Sequence, residues 1–379
     1  MTDHTVLILG AGASFAYGLP LGFELLNHIR ALLAKPMNRP GSSDRDNALY
    51  WQLRQHPEIE ADAFSRNADI NSTLSAFRQS VLESDPTSID TYLSQDFGEY
   101  TRLFRLIGKL AITHVISVAE SEKRFLQLEV PNSEMQKTKD HWYRYLWQEC
   151  LAKDIQTLSQ LKAKKLRIVS FNYDRSLEYY LGKKIAARFL VAPGRNIEQD
   201  QAHEWAASGF EAIEENLQIT HPYGTLGPLS VVPYGHADNA MKHGQSMAKA
   251  INVIGEHRES KPDSFADARD WIEHASRVVF LGFSYDSTNM KRLGLEHGLH
   301  RKLKIPGVFG SKGLFPLTRG FHRGDRKQLQ AKYFGEFWQT PGDLENLQSP
   351  TDDRLPLSET HQNMEITEYL RKYGVLTAI

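Results

Sequence analysis

The chain has a single cysteine, Cys150, among 379 residues. One thiol cannot form an intramolecular disulfide, and it cannot furnish a Cys-based zinc ribbon. Long apolar runs are missing too. No stretch approaches the roughly twenty apolar residues that a membrane helix needs. The first apolar segment, residues 6–9, is only strand length, with no basic segment before it and no cleavage site after it. The expectation is a soluble cytoplasmic protein. Charge of one sign is also scarce, because the formal net charge is -1. Neither an anionic membrane nor a nucleic-acid backbone is implied as an obligate partner.

The length suits one large α/β domain carrying an insertion, or two domains. Residues 6–9 (VLIL) read as a buried parallel strand ending at Gly10. Further strands are expected at 166–171 (LRIVSF), at 217–220 before His221, and at Arg277–Leu281 (RVVFL), with one near 303–309 closing the sheet. Another short apolar run sits at 229–233. Helical spacing marks residues 22–33, 103–119, 142–161, 175–184, 287–297 and 365–373. Residues 35–47 read as a linker and 339–360 as irregular, both being rich in turn formers or proline. Between 48 and 165 strand signal is nearly absent, which predicts a helical insertion that serves as a lid or as an assembly surface. The fold class expected is α/β, a Rossmann-like open parallel sheet with a large helical insertion. Its core domain would span 1–310, with a C-terminal extension over 311–379.

Polar clusters fall just after strand ends, where open parallel sheets bind ligands. Gly10-Ala11-Gly12-Ala13-Ser14 follows the first strand. Glycines there permit a tight turn and close approach of a diphosphate to a helix N-terminus. The third glycine of a dinucleotide fingerprint is replaced by Phe15, and no acidic ribose ligand follows about twenty residues on, so a dehydrogenase is disfavoured. Ser170-Phe171-Asn172-Tyr173-Asp174 follows the second strand. Asn172 can serve a sugar hydroxyl or a water; Asn172 and Asp174 can equally cap the next helix. His221 ends the third strand and is a candidate base near neutral pH, with His236 a weaker one. Gly282, Ser284 and Asp286 follow the fourth, as phosphate or ribose contacts or as a turn with a helix cap. Cys150, in an apolar stretch, reads as core. His203-Glu204 lacks the second histidine of a zinc-protease helix, so no metal is assigned.

In this order, GAGAS…GLP, SFNYD, HPYG and VVFLGFS resemble the sirtuin-like NAD-binding fold. Residues 88–93 (SIDTYL) are similar to the Ser-Ile-Asp-x-x-Leu stretch of bacterial sirtuin-like proteins. The four-Cys zinc module of deacetylase sirtuins is absent, and Leu-Gly follows Pro20 where deacetylases have Asp-Phe-Arg. The chain therefore looks like the divergent, zinc-free bacterial enzymes of anti-phage systems that hydrolyse NAD+ in abortive infection. The resemblance implies NAD+ as substrate, not cofactor, held by Gly10, Ala11, Gly12, Ala13, Ser14 and Pro20. It implies catalysis by Asn172, His221 and Asp174, and adenosine-side contacts from Gly282, Ser284 and Asp286. It also implies a homo-oligomer, with a HerA-type ATPase as a candidate partner. A non-catalytic NAD+ or ADP-ribose sensor, an ADP-ribosyltransferase or deacylase, and a dehydrogenase are the competing readings.

Overall fold

The computed structural model describes residues 4–34, 44–56, 70–122, 141–190, 199–236, 238–253, 263–275, 277–295 and 313–316, together with Ile366 and Leu370. Among these residues five strands form one wholly parallel sheet: β1 (Thr5–Leu9), β2 (Leu166–Ser170), β3 (Gln218–Thr220), β4 (Arg277–Leu281) and β5 (Gly313–Pro316). Their order is β3-β2-β1-β4-β5. In register, Thr5 lies beside Leu166 on one side and Arg277 on the other. The chain builds outward from β1 through β2 to β3, then crosses back to lay β4 and β5 on the far side.

The central strands are apolar at nearly every position because both faces of a parallel sheet are covered. Side chains alternate between the faces. Val6 and Ile8 of β1, Val278 and Phe280 of β4 and Val169 of β2 enter one core. Leu7, Leu9, Leu166, Ile168, Val279 and Leu281 enter the other.

The helices, in chain order, are α1 (Ala11–Phe15), α2 (Gly22–Ala34), α3 (Asp44–Arg54), α4 (Ile70–Glu83), α5 (Ile89–Leu93), α6 (Thr101–Glu122), α7 (Trp142–Tyr145) and α8 (Leu158–Lys162). They continue with α9 (Ser176–Ile185), α10 (Gln199–Asn216), α11 (Asn239–Ala250), α12 (Ala266–His274) and α13 (Ser287–Arg292). The first core is closed by Leu26 and Ile29 of α2, Ile107 and Ala111 of α6 and Met247 of α11. The second is closed by Trp142 and Tyr143 of α7, Leu177 and Leu181 of α9 and Ile213 of α10.

Several expectations change in detail. The described residues between 48 and 165 are largely helical as expected, but they are not an appendage: α6 and its neighbours cover one sheet face, and α7 covers the other. The helix expected over 142–161 is broken. A π-helical turn, Leu146–Leu151, follows α7, and a Thr157–Gln160 capping box starts α8 afresh. Residues 44–47 of the expected linker already belong to α3. The apolar run at 229–233 is turn. The sheet also continues beyond residue 310, since β5 pairs in parallel with β4. Ile366 and Leu370 are buried in the second core, where the Tyr145 hydroxyl donates to the Leu370 carbonyl at 3.3 Å. The strand expected near 303–309 and the irregular segment 339–360 lie outside the described residues.

A buried ion pair locks the loops above the sheet. Arg175 is 2% exposed and Glu120 of α6 is fully buried. The guanidinium Nη2 donates to Glu120 Oε2 at 2.6 Å, and Nη1 donates to the carbonyls of Val232 at 2.6 Å and Gly227 at 3.1 Å. Glu120 also accepts from the Arg175 main-chain N–H at 3.2 Å. Each end of the pair is hydrogen-bonded, the condition under which a buried charge is tolerated.

Candidate active site

The loops after β1 and β4 meet backbone to backbone. A Cβ on Gly12 would lie 2.8 Å from the Gly282 Cα, and one on Gly10 would lie 2.8 Å from the Phe283 Cα. Gly282 has φ +59°, and its own Cβ would collide with the backbone of Gly12 and Ala13. Glycine is thus required on both sides of this contact. The Gly10 N–H donates to the Leu281 carbonyl at 3.0 Å and the Gly12 N–H to the Gly282 carbonyl at 3.0 Å. The structure therefore gives these three glycines a packing role. Two N–H groups of the turn are already engaged, leaving them unfree for an anion. α1 is a single short turn, and Ala13 fixes it by accepting at its carbonyl from the Trp142 indole N–H at 2.7 Å.

With the β4 side of the turn filled, its polar side chain reaches toward β2. Asn172 Nδ2 donates to Ser14 Oγ at 2.7 Å. Ser14 is buried, and its hydroxyl is among the groups that work to hold the Asp174 carboxyl down. Asp174 Oδ1 also accepts from the Ser176 N–H at 3.0 Å and from the Ser176 hydroxyl. Ser176 Oγ in turn accepts from the Tyr143 hydroxyl at 2.7 Å. Burial raises the Asp174 carboxyl above its ordinary value, with the hydrogen bonds from Ser176 and Ser14 working against that rise. The Asn172 NH2 group donates to the Ser14 oxygen, which leaves the Ser14 hydroxyl proton to another acceptor. The amide is thereby oriented. Its Oδ1 is buried and has no hydrogen-bond partner among the described residues.

His221 stands at the carboxyl end of β3. Its Nδ1 donates to the main-chain carbonyl of Asn172 at 3.1 Å, and its Nε2 meets Glu178 Oε1 on the first turn of α9. Burial by itself would lower the His221 value; the Glu178 charge and hydrogen bond, with the Asn172 carbonyl, outweigh it and raise it. Burial would raise Glu178, but the His221 charge and hydrogen bond overcome it and hold the carboxyl low. The turn after His221 is set by Gly224, whose N–H donates to the His221 carbonyl at 2.8 Å and whose φ is +72°.

The structure thus gathers Ser14, Asn172, Asp174 and His221 at the ends of β1, β2 and β3. Other predicted residues are held differently. Asp286 is exposed and caps α13, accepting from the N–H groups of Thr288 at 2.9 Å and Asn289 at 3.1 Å. Ser284 and His236 are exposed, and Pro20 is buried. Ser88 caps α5, and Asp90 accepts from the Tyr173 hydroxyl at 2.6 Å, joining the SIDTYL and SFNYD segments. Cys150 is core, its thiol pushed up to about 12 by burial. His203-Glu204 lies on α10, but these side chains are outside the described set.

Glu178, Ser176, Tyr143 and the Arg175–Glu120 pair were not anticipated from the sequence. Glu178 had a faint signal, an acidic residue in the first turn of a helix that follows a strand end. Tyr143 had none, since it arrives from another helix. No protein-family model matches the chain, and no curated protein matches it.

Proposed function

We propose that the chain is an NAD+ glycohydrolase, releasing nicotinamide and ADP-ribose. The observation that carries this reading is the Asn172 residue at the end of β2: its amide donates to Ser14 and keeps a buried Oδ1 without a hydrogen-bond partner among the described residues, while its main-chain carbonyl meets His221. A buried acceptor without a partner costs about 1–3 kcal/mol unless something donates to it. A ribose hydroxyl or an attacking water supplies that donor. Cleavage at the nicotinamide bond passes through an oxocarbenium-like state and expels a neutral leaving group, so positioning and electrostatics carry most of the catalysis. Asn172 would hold the ribose or the water, Asp174 would act through Ser14, and His221 would act by holding the Asn172 main chain in place. The glycine turn would shape the wall against which the dinucleotide lies.

Unchecked hydrolysis of NAD+ drains the cell that makes the enzyme. We therefore propose a defence role in which activity is gated by homo-oligomer assembly or by a partner such as a HerA-type ATPase. The test is incubation of the full chain with NAD+, with and without such a partner, followed by chromatography for nicotinamide and ADP-ribose. Asn172→Ala is expected to abolish release. Wild-type turnover in that variant removes the reading.

A second reading is a non-catalytic NAD+ or ADP-ribose sensor. It is favoured by one observation: both His221 nitrogens already face acceptors, which leaves no lone pair for a proton. Stoichiometric binding without nicotinamide release, in every assembly state, selects this reading instead.

A further inference from the structure

We propose that Glu178 is a positioning residue of this site, holding His221 with a proton on each ring nitrogen, so that the imidazole serves as a fixed cation and donor rather than as a base. The argument is a count of protons. Nδ1 faces the Asn172 carbonyl oxygen at 3.1 Å, and Nε2 faces Glu178 Oε1. A carbonyl oxygen accepts and cannot donate, and an ionised carboxylate does the same. Neutral imidazole has one N–H and satisfies one of them; imidazolium satisfies both.

The surrounding charges favour the same state. Asp174, on the turn after β2, favours the charged imidazole when ionised, although burial and the Glu178 charge raise its own value. Arg175, on the same turn, adds a positive charge toward Glu178, and its own guanidinium is balanced by Glu120 of α6. Each neighbour favours the ionised form of the partner it faces. Both members of the pair are largely buried, with side chains 12% and 17% exposed, so solvent screens the attraction little. The ring also has a mechanical role. By bonding the Asn172 carbonyl from the end of β3, it fixes the backbone of the residue whose amide faces the site.

This inference deepens the NAD+ reading and rests on it only for its kinetic consequence. A histidine base gains activity as pH rises through its titration; a histidine cation loses activity there. The test is a pH titration of the full chain carrying 13C at histidine Cε1, with the His221 signal assigned from its disappearance in H221N. The expected His221 midpoint lies above the ordinary 6.5. In E178Q it moves down from the wild-type position, whereas E178D, which keeps the charge, retains a raised midpoint. NAD+ turnover is expected to decline above the wild-type midpoint, and in E178Q the decline begins at lower pH. A wild-type midpoint at or below 6.5, or one unmoved in E178Q, overturns the proposal even if the chain hydrolyses NAD+. Should the chain release no nicotinamide at any pH, the NAD+ reading falls and the titration still decides the pair. Should E178Q fail to fold, the wild-type and E178D titrations decide it.

Discussion

Asn172 donates to Ser14 at 2.7 Å across 158 positions of sequence. That one bond ties the loop after β2 to the glycine turn after β1 and sets which end of the amide faces the site. Ser14→Ala removes the acceptor and frees the amide to turn. Turnover is expected to fall about a hundredfold, the effect of misplacing a group by an ångström. Stability should fall by only about 1 kcal/mol. Parallel steady-state kinetics and urea melts check both, and an unchanged kcat contradicts the orienting role.

The contact between the two glycine loops predicts a contrast between two alanine variants. Gly282→Ala forces a left-handed residue and a backbone collision at once. It should cost at least about 2 kcal/mol. Gly22→Ala, at the exposed start of α2, meets nothing within 4 Å. It should change stability by less than about 0.5 kcal/mol. Chemical denaturation of both variants measures the difference, and similar midpoints would show that the packing account is mistaken.

Glu120→Gln leaves the Arg175 guanidinium buried without its counter-charge. The expected loss is about 3–5 kcal/mol, because uncompensated burial rather than a lost contact sets the cost. A double variant, Arg175→Met with Glu120→Leu, should recover much of it. If the double variant is no more stable than Glu120→Gln in urea, the buried charge is not what destabilises the single one.

The His221–Glu178 pair makes a pH-dependent contribution to stability. His221 titrates above its ordinary 6.5, so its part is complete below 6.5 and fades as pH rises through the folded value. Glu178 titrates below its ordinary 4.5, so its part is complete above 4.5 and fades as pH falls through the folded value. The stability difference between wild type and Glu178→Gln should therefore be greatest between pH 4.5 and 6.5. Thermal melts across pH 3 to 9, about the practical range for such a linkage series, follow it; a difference that grows steadily toward alkaline pH contradicts the sign.

Cys150 is 2% exposed and its thiol is raised to about 12, so almost no thiolate exists near neutrality. A thiol reagent should label it only after unfolding. Rapid labelling of the native chain would mean that the second core opens locally.

Much of the frame could be read from residue order. TVLIL and RVVFL are apolar enough to lie between two helical layers, and each runs into a glycine that stops it. Gly10 and Gly12, read from the sequence as allowing close approach of a diphosphate, also allow the close approach of the Gly282 backbone, which no residue order announced. The helical character of the described residues between 48 and 165 was legible as well. Their place on both sides of the sheet was not, because an amphipathic stripe says that a face is buried without saying against what. At the site, Asn172, Asp174 and His221 stood out as polar residues at strand ends.

The linear chain alone determined which segments become strands and helices, where the turns fall and which side chains are apolar enough to leave water. These follow from short-range sterics and from a hydrophobic period of two or 3.6 residues. Only the tertiary structure decided that Ser14 orients Asn172, that Glu178 meets His221 from 43 positions away, and that Arg175 closes on Glu120. Such partners share no local period. Parallel strands joined by long crossovers bring their ends together in space, and hydrogen-bond geometry then selects among whatever polar groups have arrived there.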